Sequence, residues 1–177
     1  MTIVALSLGS NTNPAHYLAS ALGALYERFG ALRVSSVFES EAVGFSGDNF
    51  LNLAVVIDTN EKLEDLALFL KGLEDRHGRS RQEPRFSGRT LDIDILTYGE
   101  MHGEFAGIVL PREEIVDNAY VLWPLSEILG EGMHPPTGKT YSQLWTEYDK
   151  TRQRLWPVAF SWENGSAPTG IGYFNSQ

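Results

Sequence analysis

The sequence predicts an α+β fold, an antiparallel sheet with helices packed on one face. Three observations predict this fold: the chain has apolar, β-prone runs, amphipathic segments lie between them, and turn residues stand at the junctions. The predicted strands span residues 3–8, 32–39, 50–58 and 90–98, and the predicted helices span 14–29 and 61–76. This βαββαβ order is typical of a ferredoxin-like sandwich. Since both helices would cover one face of the sheet, the other face is free for a site.

Each helix is justified by the spacing of its apolar residues. In the first helix, Leu18, Leu22, Leu25 and Phe29 recur at helical spacing and form one apolar stripe. The second helix has a similar stripe that begins at Leu63. Acidic residues cluster in its first turns, where the helix dipole favours negative charge.

The strands are justified by alternation and by the residues that end them. The first strand is followed by Gly9-Ser10-Asn11, which is a turn signal. In the third strand Phe50 and Asn52 fall on one face, and Leu51 falls on the other.

The second half of the chain is less regular. A short helix is expected at about 118–128, where Pro124 is tolerable near a helix start. We expect a single domain over 1–177, with a core of about 1–130 and a C-terminal extension of about 131–177. The extension is rich in aromatic residues, and either an oligomer contact or burial over the back of the sheet would explain it.

Composition excludes several classes of protein. The chain has no cysteine, so disulfides and thiolate chemistry are excluded. No apolar run reaches the roughly 20 residues of a spanning helix, and the amino terminus lacks the basic region of a signal peptide. We therefore expect a cytoplasmic protein with no membrane partner. A net charge of −9 also disfavours nucleic acid as a partner.

The segment from Gly78 to Leu96 carries the clearest chemical signal. In its strand, Asp92 and Asp94 fall on one face, opposite the apolar residues. Two carboxylates placed in this way lie roughly 6–7 Å apart at the rise of a strand. That separation suits one or two Mg²⁺ ions held between protein carboxylates and substrate phosphates.

Arginines precede the two acids. They are Arg79, Arg81, Arg85 and Arg89. A guanidinium group can bind two phosphate oxygens with two parallel hydrogen bonds. Together with the two acids, the arginines indicate a metal-dependent phosphoryl-transfer site. A solvated salt-bridge network is the structural alternative. Positive charge concentrated in an acidic chain favours an anionic ligand instead.

The order of these motifs resembles that of the 6-hydroxymethyl-7,8-dihydropterin pyrophosphokinases of folate biosynthesis, over residues 4 to about 129. The segments that carry the resemblance are Leu8-Gly9-Ser10-Asn11, Ser35-Ser36-Val37-Phe38, Phe50-Leu51-Asn52, Glu74 with Gly78-Arg79-x-Arg81, Arg89 to Leu96, and Leu122-Trp123-Pro124-Leu125. The resemblance implies a ferredoxin-like transferase. Such an enzyme moves a diphosphoryl group from ATP to the hydroxymethyl oxygen of the pterin and releases AMP.

The resemblance also implies roles for residues on the ATP side. Asp92 and Asp94 would be the ligands of two Mg²⁺ ions, and Arg79 and Arg89 would complete the catalytic set by holding the triphosphate. The residues implied to contact ATP are Lys71, Glu74, Arg79, Arg81, Arg89, Ile95 and Arg112.

A second implied set surrounds the pterin. Asn52 would hydrogen-bond the pterin edge, and Tyr120 would stack on the ring. The complete set is Ser40, Val43, Phe50, Asn52, Phe86 and Tyr120. For Phe50, Val43 and Tyr120, ordinary core packing is the alternative.

The chain departs from the family pattern at five places. They are Gln82 in place of a lysine, Phe86-Ser87-Gly88 in place of Trp-Gly-Pro, Arg112 in place of a histidine, Asn118 in place of an arginine, and Lys71 in place of a glutamine. A different nucleotide pose, slower turnover or a related pterin acceptor would each fit these departures.

Other functions stay open at this point. A divergent paralogue could use a related pterin, and a non-catalytic module could bind pterin or nucleotide. An RNA-binding role is disfavoured because the acidic pair would repel the RNA backbone. We expect a monomer whose partners are the pterin and ATP.

Overall fold

A computed structural model describes residues 1–41, 47–78 and 90–167. Its strands are β1 (Thr2–Ser10), β2 (Arg33–Val34), β3 (Val37–Ser40), β4 (Phe50–Thr59), β5 (Asp92–Tyr98), β6 (Gly103–Phe105), β7 (Ile108–Leu110), β8 (Met133–His134), β9 (Lys139–Thr140), β10 (Leu155–Val158), β11 (Phe160–Trp162) and β12 (Gly165–Ala167). Its helices are α1 (Pro14–Phe29), α2 (Leu63–Arg76), α3 (Glu114–Asp117), α4 (Ala119–Leu129) and α5 (Tyr141–Glu147).

The main sheet has the order β10-β3-β4-β1-β5, and β2 also pairs with β4. Every neighbouring pair is antiparallel. The strands β5, β1, β4 and β3 are those of the predicted βαββαβ unit, and α1 and α2 are its helices. The predicted α+β ferredoxin-like class is therefore confirmed.

Alternation along the strands divides the core into two clusters. Leu6 and Leu8 of β1 join the apolar stripes of α1 and α2 in the first cluster. Ala5 of β1 joins α4 in a second cluster on the opposite face. The two predicted helices share one face, as expected. The other face, which we expected to be free, is partly covered by α4.

Two further expectations are corrected at the level of elements. Gly9 and Ser10 continue β1 and do not form a turn. Pro124 lies inside α4 and not near its start. Having no N–H, it cannot donate the helical hydrogen bond that the carbonyl of Tyr120 would otherwise accept.

The strand predicted at 32–39 is interrupted at Ser35 and Ser36. Here side chains supply hydrogen bonds that the backbone of a regular strand would make. The Ser35 hydroxyl accepts a hydrogen bond from the Ala54 N–H at 2.8 Å. The Ser36 N–H donates to the Glu127 carboxylate of α4 at 2.7 Å, and the Ser36 hydroxyl donates to it at 3.0 Å. β2 therefore ends at Val34, and β3 begins at Val37.

The C-terminal extension packs against the core at several places. Its strand β10 pairs with β3 and so forms one edge of the main sheet. Trp145 of α5 stacks on Trp123 of α4, with ring centroids 5.0 Å apart. Trp162 of β11 meets Tyr26 of α1 edge to face. In the described part of the chain, no helix is long and apolar enough to cross a membrane.

Candidate active site

A row of three residues crosses the centre of the sheet on the face that α4 partly covers. Gly9 of β1 pairs with Asn52 of β4 on one side and with Asp92 of β5 on the other. Neighbouring strands are about 4.8 Å apart, so the backbones of Asn52 and Asp92 lie about 10 Å apart. In the adjacent row on the same face, Ser7 pairs with Asp94. A buried amide and two carboxylates therefore share one face.

Gly9 lets the Asn52 side chain lie across β1. A Cβ atom on Gly9 would meet the amide nitrogen of Asn52 at 2.5 Å. The Asn52 side chain therefore occupies the space that any larger residue at position 9 would need. Sequence reasoning treated Gly9 as part of a turn. A glycine inside an apolar strand is itself a signal of such a close approach.

The two acids alternate with buried residues as predicted. Ile93 and Ile95 lie in the first core cluster, so Asp92 and Asp94 are on the opposite face. Arg112 follows β7 and reaches Asp94, with Nη2 3.5 Å from Oδ1. The Glu114 carboxylate also pairs with the guanidinium of Arg112. The backbone N–H of Arg112 donates to the Leu96 carbonyl at 2.8 Å. These contacts fix Arg112 beside the acids.

The pKa of Asp94 is raised to about 6. Burial is the largest cause, and the negative charges of Asp92, Glu114 and Glu74 add to it. Arg112 lowers the pKa but does not offset these effects. About 44% of the side chain remains accessible, so the carboxyl can still meet a ligand.

The acidic pair fits a hydrated magnesium ion. Mg²⁺ in phosphoryl-transfer sites usually takes one or two protein carboxylates and completes its shell with water and phosphate oxygens. Within the three described ranges, no group of three or more His, Cys, Asp or Glu could hold a metal ion. A pair of carboxylates on one strand face suits a metal ion that binds together with substrate phosphates.

Glu74 of α2 lies directly beside the acidic strand. It is buried, and its carboxylate accepts a hydrogen bond from the Ile93 N–H at 2.9 Å. This bond ties α2 to the backbone between the two acids. Lys71 is exposed on the same helix. The side chain of Ile95 lies in the first core cluster, so the predicted contact with ATP would have to use its backbone.

The predicted pterin residues that the structure describes come together on the acidic face. Asn52 pairs with Phe38, and Phe50 pairs with Ser40. Tyr120, at the start of α4, is half-buried and packs against the second core cluster. The pKa of Tyr120 is raised by burial and by the negative charges of Glu114 and Asp94. Its hydroxyl is therefore within electrostatic range of the acids.

A family model described as 7,8-dihydro-6-hydroxymethylpterin-pyrophosphokinase (HPPK) matches residues 5–130 of this chain. The chain belongs to the HPPK family. The predicted membership of that family and the predicted transferase class are thereby confirmed.

Relatives in two bacteria carry the name 2-amino-4-hydroxy-6-hydroxymethyldihydropteridine pyrophosphokinase. The Synechocystis protein is 32% identical over 165 residues, which cover 92% of this chain and 83% of the relative. The Bacillus subtilis protein is 33% identical over 130 residues, which cover 71% of this chain and 77% of the relative.

A solved structure shows the same fold. The HPPK-DHPS triple mutant of Plasmodium falciparum with SDX-DHP superimposes with a TM-score of 0.72 at 12% identity. The match covers 94% of this chain, and this chain spans 46% of the Plasmodium chain. At this low identity the comparison supports the fold alone.

Several predicted HPPK site residues lie outside the described part of the chain. They are Val43, Arg79, Arg81, Phe86 and Arg89, together with the departures Gln82 and Phe86-Ser87-Gly88. The roles implied for them stay predictions. The residues that the structure brings together are Asp92, Asp94, Glu74, Arg112, Ser40, Phe50, Asn52 and Tyr120.

One contact in this HPPK-family chain had no signal in the sequence. Gln153 of the extension accepts a hydrogen bond from the Ala119 N–H at 2.7 Å and donates to the Asn118 side chain at 3.0 Å. The residues are 34 and 35 positions apart, so no local pattern connects them. Asn118, one of the departures from the family pattern, is thus held by the extension.

Proposed function

We propose that this chain is a 2-amino-4-hydroxy-6-hydroxymethyldihydropteridine diphosphokinase. It transfers the diphosphoryl group of ATP to the hydroxymethyl group of 6-hydroxymethyl-7,8-dihydropterin, in a reaction that requires Mg²⁺. The hydroxymethyl oxygen forms a bond to the β-phosphorus. The bond from that phosphorus to the oxygen bridging the α-phosphate breaks, AMP leaves with this oxygen, and the hydroxyl proton is lost.

The observation that carries the proposal is the row formed by Asn52, Gly9 and Asp92. It puts an amide that can recognise a heterocycle about 10 Å, measured between backbones, from carboxylates that can hold a metal. A pterin at Asn52 would therefore have its substituent directed along the face that carries the acids. Membership of the HPPK family supports the same pair of substrates.

Diphosphoryl transfer requires positioning and charge stabilisation more than a protein nucleophile. Asp92 and Asp94 would hold two Mg²⁺ ions, which would neutralise charge on the phosphates of ATP. Arg112 is already beside Asp94 and can contact the same anionic group. Arg79 and Arg89 would hold the triphosphate, as the family pattern implies.

The acceptor side would use polar and aromatic contacts. The Asn52 amide offers both a donor and an acceptor to the pterin edge. The ring of Tyr120 offers a flat face for stacking, and Phe50 adds apolar contact. Ser40, which pairs with Phe50, would add backbone contacts at the rim of the pterin.

We also propose that residues 1–177 form one domain, since β10 of the extension is a strand of the core sheet. A monomeric state, a cytoplasmic location and the absence of a nucleic-acid partner stay predictions from the sequence.

The first test measures AMP formed from Mg²⁺-ATP and 6-hydroxymethyl-7,8-dihydropterin. In Asp92→Ala and Asp94→Ala, we expect AMP formation to fall at least about 100-fold, because metal coordination contributes several kcal/mol of charge stabilisation. Asp58→Ala is the matched control, since Asp58 is an exposed aspartate of β4 and pairs with Ile3 at the far end of β1. We expect it to retain wild-type turnover.

Each other outcome has a distinct meaning. If Asp92→Ala and Asp94→Ala turn over like Asp58→Ala, the metal assignment is wrong. Binding of both substrates by the wild-type chain without AMP would identify a non-catalytic binding module. AMP formed only with another pterin alcohol would identify a divergent paralogue.

A further inference from the structure

Three consecutive residues at the junction of α3 and α4 are held by the C-terminal extension. The Tyr148 hydroxyl donates to the Asp117 carbonyl at 2.8 Å. Gln153 donates to the Asn118 side-chain oxygen at 3.0 Å and accepts from the Ala119 N–H at 2.7 Å. Two residues of the extension therefore fix residues 117–119, which immediately precede Tyr120.

The contact with Ala119 replaces a missing helix cap. The first N–H groups of a helix have no partner within the helix, and a side chain at the N-cap usually satisfies one of them. Asn118 is the N-cap of α4, but its side chain makes no capping hydrogen bond. The oxygen of Gln153 satisfies the first N–H instead, from a distant part of the chain.

The position of Tyr120 depends on this segment. α4 begins at Ala119, and its first turn is closed by hydrogen bonds from the Val121 and Leu122 N–H groups to the Asn118 carbonyl. Gln153 therefore binds the two residues that directly precede Tyr120 in this first turn. Tyr120 is half-buried on the face that carries Asn52 and Asp92. A loose first turn would leave Tyr120 in the binding position for only part of the time, and the apparent affinity would fall in proportion.

We propose that Gln153 is a positioning residue for the acceptor pocket, which holds Tyr120 in place by capping α4 from the C-terminal extension. The inference rests on the proposed function for the identity of the ligand. Gln153 does not need to touch the pterin, and its effect passes through Ala119 and Asn118.

The test measures the Kd of 6-hydroxymethylpterin by its fluorescence, in the presence of Mg²⁺ and α,β-methylene-ATP, which cannot be cleaved at the reacting bond. Gln153→Leu removes both hydrogen bonds at similar volume. We expect it to raise the pterin Kd about three- to tenfold, because this factor corresponds to the free energy that loss of a helix cap typically costs. The Kd of the nucleotide analogue should change less than about twofold.

Two variants separate positioning from general stability. Gln153→Glu still accepts from the Ala119 N–H, and the Asn118 amide can rotate to donate to the carboxylate, so the pterin Kd should return to within about twofold of wild type. Gln143→Leu is the matched control. Gln143 completes the capping box at the N-terminus of α5, where the Ser142 N–H donates to the carbonyl of Gly130, the C-cap of α4. Gln143→Leu therefore removes a helix cap beside the end of α4 opposite to Tyr120. We expect a lower melting temperature and an unchanged pterin Kd.

The outcomes distinguish this inference from the proposed function. An unchanged pterin Kd in Gln153→Leu, or an equal rise in Gln143→Leu, overturns the positioning role. Pterin binding without AMP in the wild-type chain contradicts the proposed function and leaves the Kd comparison valid. A wild-type chain that binds no pterin overturns both. If Gln153→Leu does not fold, Asn118→Asp combined with Gln153→Glu opposes two carboxylates and must raise the Kd relative to Gln153→Glu alone.

Discussion

The missing side chain of Gly9 leaves room for the Asn52 amide, which we propose binds the acceptor, on the face that carries Asp92, which we propose binds the metal. Gly9 lies between Asn52 and Asp92 in the central row, and the Asn52 amide crosses the space above it. A larger residue at position 9 would push the amide away from the position in which it faces the acidic strand. Glycine is therefore needed at position 9 because it has no side chain, and not because the backbone there has an unusual conformation.

Gly9→Ala tests this directly. The added Cβ would lie 2.5 Å from the Asn52 amide nitrogen, so that side chain must move. We expect weaker pterin binding and a loss of about 1–3 kcal/mol in the free energy of unfolding, as for other overpacked sites. Calorimetric titration and chemical denaturation measure the two quantities.

Gly23→Ala is the control for that substitution. Gly23 lies in α1, and its added Cβ would meet no atom within 4 Å apart from the nearby backbone of its own helix. Alanine in a helix is favoured over glycine, so stability should be unchanged or higher by about 0.5–1 kcal/mol. If both variants behave alike, the close contact at Gly9 has no consequence for the pocket.

At the scale of elements, side chains decide where strands end and how α4 is attached. Ser35 and Ser36 interrupt the second predicted strand, and Ser36 ties the interruption to Glu127 of α4. Burial raises the pKa of Glu127, although its hydrogen bonds to Ser36 lower it. The same helix carries Tyr120, so its attachment to the sheet at one end and to Gln153 at the other sets the shape of the pocket.

Ser35→Ala is predicted to destabilise the sheet. It leaves the buried Ala54 N–H without its acceptor, which costs about 1–3 kcal/mol in the free energy of unfolding. Ser161→Ala, at an exposed position of β11, should change it by less than about 0.5 kcal/mol. Urea denaturation of both variants checks the difference, and equal midpoints would contradict the role of Ser35.

At the scale of the whole molecule, the extension contributes to both faces and to one edge of the sheet. β10 extends the sheet beyond β3, α5 packs on α4, and Trp162 packs on α1. His134 of β8 is buried in this part of the chain, and its Nδ1 is 2.9 Å from the Thr137 hydroxyl. The pKa of His134 is lowered, chiefly by burial and also by the nearby His102.

This lowered pKa predicts a pH dependence of global stability. The unfolded chain takes up the proton at the ordinary histidine pKa of about 6.5, and the folded chain takes it up only at lower pH. The contribution of His134 to the free energy of unfolding is therefore complete above that pH and is lost as the pH falls below it.

The measurement is the difference in unfolding free energy between the wild-type chain and His134→Asn at several pH values. This difference should become smaller as the pH falls from 7 to 5. His16→Asn, at an exposed position of α1, is the control substitution. A constant difference for His134→Asn would show that its protonation is not linked to folding.

Local sequence patterns were sufficient for the βαββαβ unit. The spacing of Leu18, Leu22 and Leu25 predicted α1 with its observed limits, because helical periodicity depends only on neighbouring residues. Alternation likewise placed Asp92 and Asp94 on one strand face, and the motifs around them indicated the HPPK family. The charge and composition that disfavour other classes are also properties of the sequence alone.

Tertiary structure alone decided which of these residues meet. The contacts of Gly9 with Asn52, of Arg112 with Asp94 and of Gln153 with Ala119 join distant parts of the chain. Such contacts depend on strand order, register and helix packing, and these follow from the burial of the whole core and not from any short segment. The sequence by itself therefore determined the main helices and strands of the βαββαβ unit and the side chains that they carry, and packing determined which of those side chains lie together.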